Sequence, residues 1–374
     1  MKAICRSLSV LRMNHSHKFN IISASAMPWG SRVFAVFDFN LSPGSPEGDF
    51  RLARSRETLS FLVAQGARTL LVSHRSGEGD SLESVAAFLK REYSLVFARS
   101  LEEARASLRE ARAGSFVLLE NIRLVGGERE MKNDPAFAQT LAELVDIYIN
   151  EAFSASHRAH TSMVGVPRLL PSYAGFLFAE EVAHLSTLFS PPRPFLVIIG
   201  GAKFETKVPI LEKFLERADA LCVVGALAND FLQARGVDIK RSLMSARTVP
   251  DSLAHHPKIF VSEDVVWRGD RMVDAGEKAV ADIVVHASRA ACILWNGPLG
   301  EWNGTDYGEA TNTLARALTA SKAETIVGGG DTLAAISRLG LQDKFSFVST
   351  GGGAMLQFLA DGTLPGLEAL TARI

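Results

Sequence analysis

The chain has 374 residues, more than one ordinary α/β core needs, so two domains are expected. It is 47% hydrophobic and 22% charged with a formal net charge of -1, which excludes a general affinity for nucleic acid or for a membrane surface and requires any anion site to be local. No apolar run approaches the roughly 20 residues that cross a bilayer. The three cysteines, Cys5, Cys222 and Cys292, are scattered and odd in number, which argues against a disulfide framework or a zinc cluster and fits a reducing compartment.

Between Met1 and Phe37 there is no Asp or Glu, only Lys2, Arg6, Arg12, Lys18 and Arg32 among several serines. Residues 1–30 are therefore read as an extension, disordered or reflecting an early start, with Met13 and Met27 as later starts; an organelle transit peptide is the alternative. From Val33, short β-rich runs alternate with amphipathic stretches of about 10–15 residues. Val33–Phe37 precedes a helix near Leu52–Gln65, Thr69–Ser73 one near Leu82–Tyr93, and Ser115–Leu119 one at Pro135–Leu144, followed by Asp146–Asn150. Phe195–Ile199, a helix at Glu205–Arg217, Ala220–Val224, a helix from Ala226, Ala291–Trp295 and Thr325–Val327 repeat the rhythm. Continuous apolar strands separated by helices predict an α/β fold of two doubly wound parallel sheets. Pro171, Pro191, Pro192 and Pro194 flank a helical stretch, Ala179–Leu188, read as the connector. The expected domains are 31–175 with about 360–374, a connecting helix and hinge at 176–192, and 193–359.

In such sheets ligands lie beyond the carboxyl ends of the strands. There the first half places Asp38, Phe39 and Asn40, then Arg51, Ser73-His74, Glu120 to Arg123, and Asn150 to His160. If these strands share one sheet, Arg51, His74, Arg123 and Arg158 converge, and convergent guanidinium forks suit a small phosphate or carboxylate ligand. His157 and His160 lack an acidic partner in any recognised metal motif, so zinc is not expected. The second half places Gly200-Gly201-Ala202-Lys203 with Lys207 one turn on, then Asn296-Gly297-Pro298, Gly328-Gly329-Gly330-Asp331-Thr332 and Ser349-Thr350-Gly351-Gly352-Gly353. Strand, glycine turn and helix point backbone N–H groups at an anion, although a tight turn alone would also explain any single loop. Two in succession, one with an acid, suggest a polyphosphate nucleotide with its metal. The Walker A spacing is absent, and no G-x-G-x-x-G follows the first strand, so a dinucleotide-dependent dehydrogenase is disfavoured.

These ordered motifs, with Leu364-Pro365-Gly366, resemble those of the phosphoglycerate kinase family from about Arg32 to Leu370. The resemblance implies reversible transfer of the acyl phosphate of 1,3-bisphosphoglycerate to Mg-ADP, giving 3-phosphoglycerate and ATP, by a cytoplasmic monomer with no nucleic-acid or membrane partner. It implies phosphoglycerate binding by Asp38, Phe39, Asn40, Arg51, His74, Arg123 and Arg158. It implies nucleotide binding by Lys203, Lys207, Asn296, Pro298, Asn303, Gly329, Gly330, Asp331 and Thr332, with Asp331 holding Mg2+. Arg51, Lys203 and the Gly351–Gly353 amides, with Gly352 central, would stabilise the transferring phosphoryl group. It also implies a C-terminus that returns to the first lobe. Departures from the family pattern are Val36 and Gly77 at two arginine positions, with Arg75 near the second. Val224-Gly225-Ala226-Leu227-Ala228 replaces a glycine-richer loop, Thr206 and Glu151 stand at two aspartate positions, and Asn303 stands at the ribose-binding glutamate. They motivate a rival reading, a binding paralogue without turnover.

Overall fold

The computed structural model describes residues 19–41, 49–75, 81–201, 204–245, 248–302 and 308–371. Two compact units divide the chain: Met1–Ser186 with Asp361–Ile374, and Thr187–Ala360. The helix Phe176–Thr187, expected as the connector, belongs to the first unit through Ser186.

The first unit contains β1 (Arg32–Val36), β2 (Arg68–Val72), β3 (Leu95–Ala98), β4 (Phe116–Leu119), β5 (Ile147–Asn150) and β6 (Ser172–Ala174). They form one parallel sheet in the order β3-β4-β2-β1-β5-β6. The central strand β1 is buried at four of its five positions because helices cover both faces, so it reads as an unbroken apolar run. Val33, Ala35 and Phe37 join Leu59, Leu62, Leu71 and Phe116 in the core. Helix starts follow local chemistry. Asp49 accepts the Arg51 N–H ahead of the helix Phe50–Ala64, and Asp134 caps Pro135–Ala142, with proline in the first turn.

Several elements differ from the sequence reading. β3 and the helix Leu101–Glu110 were not expected; β3 is a four-residue strand at the sheet edge, with Val96 half exposed. Residues 19–30, assigned to an extension, pack into the unit. Ile21 bridges to Ala174, Phe19 stands edge-on to Phe178 at 6.0 Å, and Met27 is buried. A non-local apolar face holds them, which an acid-poor composition does not reveal. The helix Pro365–Thr371 packs here too, the Gly366 N–H donating to the Ser156 carbonyl at 2.9 Å.

The second unit contains β7 (Phe195–Ile199), β8 (Ala220–Val223), β9 (Ile259–Phe260), β10 (Val265–Arg268), β11 (Arg271–Ala275), β12 (Cys292–Asn296), β13 (Glu324–Gly328) and β14 (Phe347–Val348). Six of these form a parallel sheet in the order β14-β13-β12-β7-β8-β9, and β10-β11 is a separate antiparallel hairpin. The α/β class and two parallel sheets thus match the sequence reading. The hairpin does not; its signal is Gly269-Asp270 between Val265–Trp267 and Met272–Val273.

Candidate active site

In the first unit, Asp38, His74, Arg123 and Arg158 all follow the carboxyl ends of strands in one sheet. The turn after β1 is built on Asp38, whose Oδ1 accepts the Asn40 N–H at 3.1 Å and whose Oδ2 accepts the Ser154 hydroxyl. Arg51, at the start of its helix, places Nε 3.5 Å from Asp38 Oδ2 and donates from Nη1 to the Asn40 carbonyl at 2.7 Å. His74 Nε2 meets Arg158 Nη1 at 2.9 Å. Arginine can only donate, so Nε2 is the acceptor and the imidazole is the neutral Nδ1–H form. Burial, above all, pushes the His74 pKa down to about 4; Arg158, Arg123 and His160 add to that and Asp38 opposes it. Arg123 heads the short helix Ile122–Gly126, its N–H received by Asn121 Oδ1 at 3.2 Å, and its buried Nε has no hydrogen-bond partner among the described residues. Burial and the neighbouring Arg123 lower the Arg158 pKa. Bringing guanidinium groups this close costs Coulomb energy, which an anionic ligand accepting their N–H groups would relieve.

Phe39 departs from its expected role. It is fully buried, stacked on Phe37 with ring centroids 5.3 Å apart, and its N–H donates to Ser73 Oγ at 2.9 Å. It shapes the turn from behind and does not present a side chain to a ligand. Arg75, read as a stand-in for the missing arginine, is committed elsewhere, donating from Nη1 to the Ser81 carbonyl at 3.1 Å; Gly77 lies outside the described residues. Val36 is a buried strand residue. His157 donates from Nδ1 to the Ser154 carbonyl at 2.9 Å, while His160 lies 3.9 Å from buried Glu130. No group of three metal-ligating side chains occurs among the described residues. Sequence reading missed Ser154 and Glu130. The second is a carboxyl raised to about 7 by burial, although Ser162 donates to it from both hydroxyl and N–H.

In the second unit, β7, β12, β13 and β14 end in the four glycine-containing turns. The Gly200 N–H donates to the Asn296 carbonyl at 2.8 Å, and Gly297 packs against Gly200 with φ +100°. A Cβ on Gly297 would lie 2.5 Å from the Gly200 carbonyl, so only glycine fits there. Thr332 is fully buried and its Oγ1 accepts the Gly297 N–H at 2.9 Å, tying together the turns after β12 and β13. Asn296 Nδ2 is buried with no partner among the described residues. Gly329 precedes the helix Gly330–Arg338 without a side-chain cap, leaving exposed Gly330 and Asp331 at its positive end. Lys207 donates to the Gly200 carbonyl; burial lowers its pKa to about 8, and Asp331 pulls the other way. Of the three expected amides after β14, that of Gly351 is taken by Ser349 Oγ at 3.0 Å, while Gly352 and Gly353 lead into the helix Gly353–Asp361.

Beside these turns lies a cavity of about 200 Å³, with Val224, Gly225, Ala226 and Pro298 on its walls and Asp331 at its rim. Leu243, Met272 and Val273 add to its apolar lining. Sequence reading missed all three: Met272 and Val273 sit on the unrecognised hairpin, and Leu243 lies outside any helix or strand. A mostly apolar slot next to uncapped N–H groups accommodates a flat base next to phosphates. Lys203 and Asn303 lie outside the described residues.

The family model described as phosphoglycerate kinase matches residues 26–362. Curated relatives named phosphoglycerate kinase include those of Thermus thermophilus, 37% identical over 92% of this chain and 97% of the relative. That of Herpetosiphon aurantiacus is 35% identical over 91% and 96%. Among solved structures, phosphoglycerate kinase from Coxiella burnetii superposes with a TM-score of 0.75 at 30% identity, covering 94% of this chain and 99% of that one. The enzyme from Pyrococcus horikoshii gives 0.81 at 25% identity, over 94% and 98%. On sequence and fold together, the chain belongs to the phosphoglycerate kinase family, whose members are phosphotransferases with a carboxyl-group acceptor.

Proposed function

We propose that this chain catalyses reversible transfer of the acyl phosphate of 1,3-bisphosphoglycerate to ADP, giving 3-phosphoglycerate and ATP. The observation that carries the reading is the pair Arg123 and Arg158 beside neutral His74, with Arg51 on the neighbouring Asp38 and the Arg123 Nε donor buried with no partner among the described residues. Such a cluster suits a ligand carrying both carboxylate and phosphate oxygens. In the forward step an ADP β-phosphate oxygen forms a new P–O bond while the acyl P–O bond breaks, its electron pair passing to the phosphoglycerate carboxylate. Charge neutralisation and positioning dominate such a transfer. Arg51, oriented by Asp38 and the Asn40 carbonyl, is assigned to the transferring phosphoryl group. Lys207 and the N–H groups of Gly329, Gly330, Gly352 and Gly353 are assigned to phosphate oxygens, and Lys203 to the transferring phosphoryl group on the strength of the family motif.

The donor set fits magnesium that arrives on the nucleotide, since Asp331 is a lone exposed carboxylate at a helix start, and Mg2+ takes one or two carboxylates with substrate phosphates. Bound there, the ion would neutralise phosphate charge. The reading also includes a cytoplasmic monomer: the free, buried thiols of Cys222 and Cys292 fit a reducing compartment. Among the described residues, no helix is long and apolar enough to cross a membrane.

The test is a coupled assay with ATP, magnesium and 3-phosphoglycerate that traps the acyl phosphate. Turnover is expected, with kcat falling about 100- to 1,000-fold in Arg51→Ala, as for loss of one charge-stabilising donor. Nucleotide binding without turnover in the unaltered protein would overturn the kinase reading.

A further inference from the structure

We propose that the first unit carries a second anion site, at the amino-terminal end of its sheet, that takes a small soluble molecule bearing two or more phosphate groups. Arg32 and Arg68 open β1 and β2 and are register partners. The helix Leu101–Glu110 adds Arg105 and Arg109, one turn apart on one face. With Leu108 and Leu144 as an apolar floor and Glu143 at the side, the four arginines line a cavity of about 390 Å³, within the range of small-ligand sites.

The charges there do not cancel. Arg32 is held by Asp146 through two guanidinium nitrogens, and Arg105 stands 4.0 Å from Glu143. Arg68 donates from Nε and Nη2 to the neutral Gly30 carbonyl and shares the field of Asp146 with Arg32. Arg109 makes no ion pair or hydrogen bond among the described residues. Four guanidiniums therefore face two carboxylates across a concave, partly apolar surface. That surplus calls for a ligand with more than one negative charge, and planar forks favour phosphate oxygens. A concave pocket favours a compact ligand over a protein surface.

The site is independent of the catalytic cluster. Arg32 starts β1, whereas Asp38 lies beyond its other end, about 20 Å away at roughly 3.3 Å per residue.

Calorimetric titration of the whole protein with inorganic triphosphate tests the assignment. Three binding classes are expected, at this site, at the Arg123 and Arg158 cluster, and at the glycine turns around Lys207. Arg105→Ala/Arg109→Ala weakens one at least tenfold and leaves the melting temperature unchanged, because Arg109 is exposed and Arg105 half-buried. Arg123→Ala/Arg158→Ala removes a second class and keeps the first. Glu143→Gln tightens the first class severalfold by deleting an opposing carboxylate. An isotherm for Arg105→Ala/Arg109→Ala that superimposes on that of the unaltered protein would overturn the proposal. So would binding to phosphatidic acid vesicles without binding to free triphosphate, which would assign the arginines to a lipid headgroup.

Discussion

Lys207 and His74 show burial acting on two basic side chains with different consequences. Each has a folded-state pKa below its ordinary value, Lys207 near 8 and His74 near 4. The unfolded chain therefore binds more protons than the folded one between about 8 and 10.5 for the lysine and between about 4 and 6.5 for the histidine. The stability contributed by each rises with pH across its own window, and acidification from pH 6.5 to 4 weakens the fold through His74. For His74 the neutral form accepts from Arg158. For Lys207 the charged form is the one a phosphate requires. ADP affinity should therefore fall by about tenfold between pH 7 and pH 9.5, in line with the loss of a charge-assisted contact. Calorimetry of ADP binding across that range checks this, and a Kd that stays constant would remove Lys207 from the phosphate site. The spacing from Lys203 to Lys207 made a phosphate role legible. The Gly200 carbonyl that also competes for the ammonium was not, because it belongs to the turn's three-dimensional path.

At the scale of elements, strand ends and helix starts do the positioning. Glu151 follows β5 and is fully buried with its Oε1 accepting the Leu177 N–H at 3.3 Å, at the start of the helix Phe176–Thr187. Burial raises its pKa to about 8, opposed by the Thr58 hydroxyl and the N–H groups of Leu177 and Phe178. A raised carboxyl pKa means the folded state binds the extra proton, so stability is lost as pH rises from about 4.5 through 8. The unaltered protein should lose roughly 2–4 kcal/mol relative to Glu151→Gln between pH 5 and pH 8. Urea unfolding at both pH values measures it, and parallel losses in the two proteins would refute the assignment. The glutamate itself is visible in the sequence as a departure from the family. Its burial is not, because Thr58, Gly175 and Leu177 reach it from separate stretches of chain. Gly297 is a second such element. Gly297→Ala meets both an unfavourable φ and the Gly200 backbone, a strain of about 1–3 kcal/mol or more. It should abolish ADP binding while 3-phosphoglycerate binding persists, as titrations with each ligand would show.

For the whole molecule, the final helix closes the first unit: Leu367 is fully buried and Gly366 bonds to Ser156, more than two hundred residues upstream. Leu367→Ala should cost about 2–4 kcal/mol, and hydrogen exchange should accelerate in residues 19–186 with little change in 187–360. Equal acceleration in both units would contradict that packing. The sequence by itself determined the α/β class and the two sheets, because fully buried strands such as Phe195–Ile199 are continuous apolar runs between helices. It also located the glycine-containing turns that end β7, β12, β13 and β14, because glycine permits a tight strand-to-helix turn. Only the tertiary structure decided that Phe19, Ile22 and Met27 belong to the core, that Phe39 supports its turn from behind, and that Leu243, Met272 and Val273 line the cavity beside the glycine turns. Those outcomes depend on contacts between distant segments, whose energies are set by packing and burial and leave no periodic trace in the local sequence.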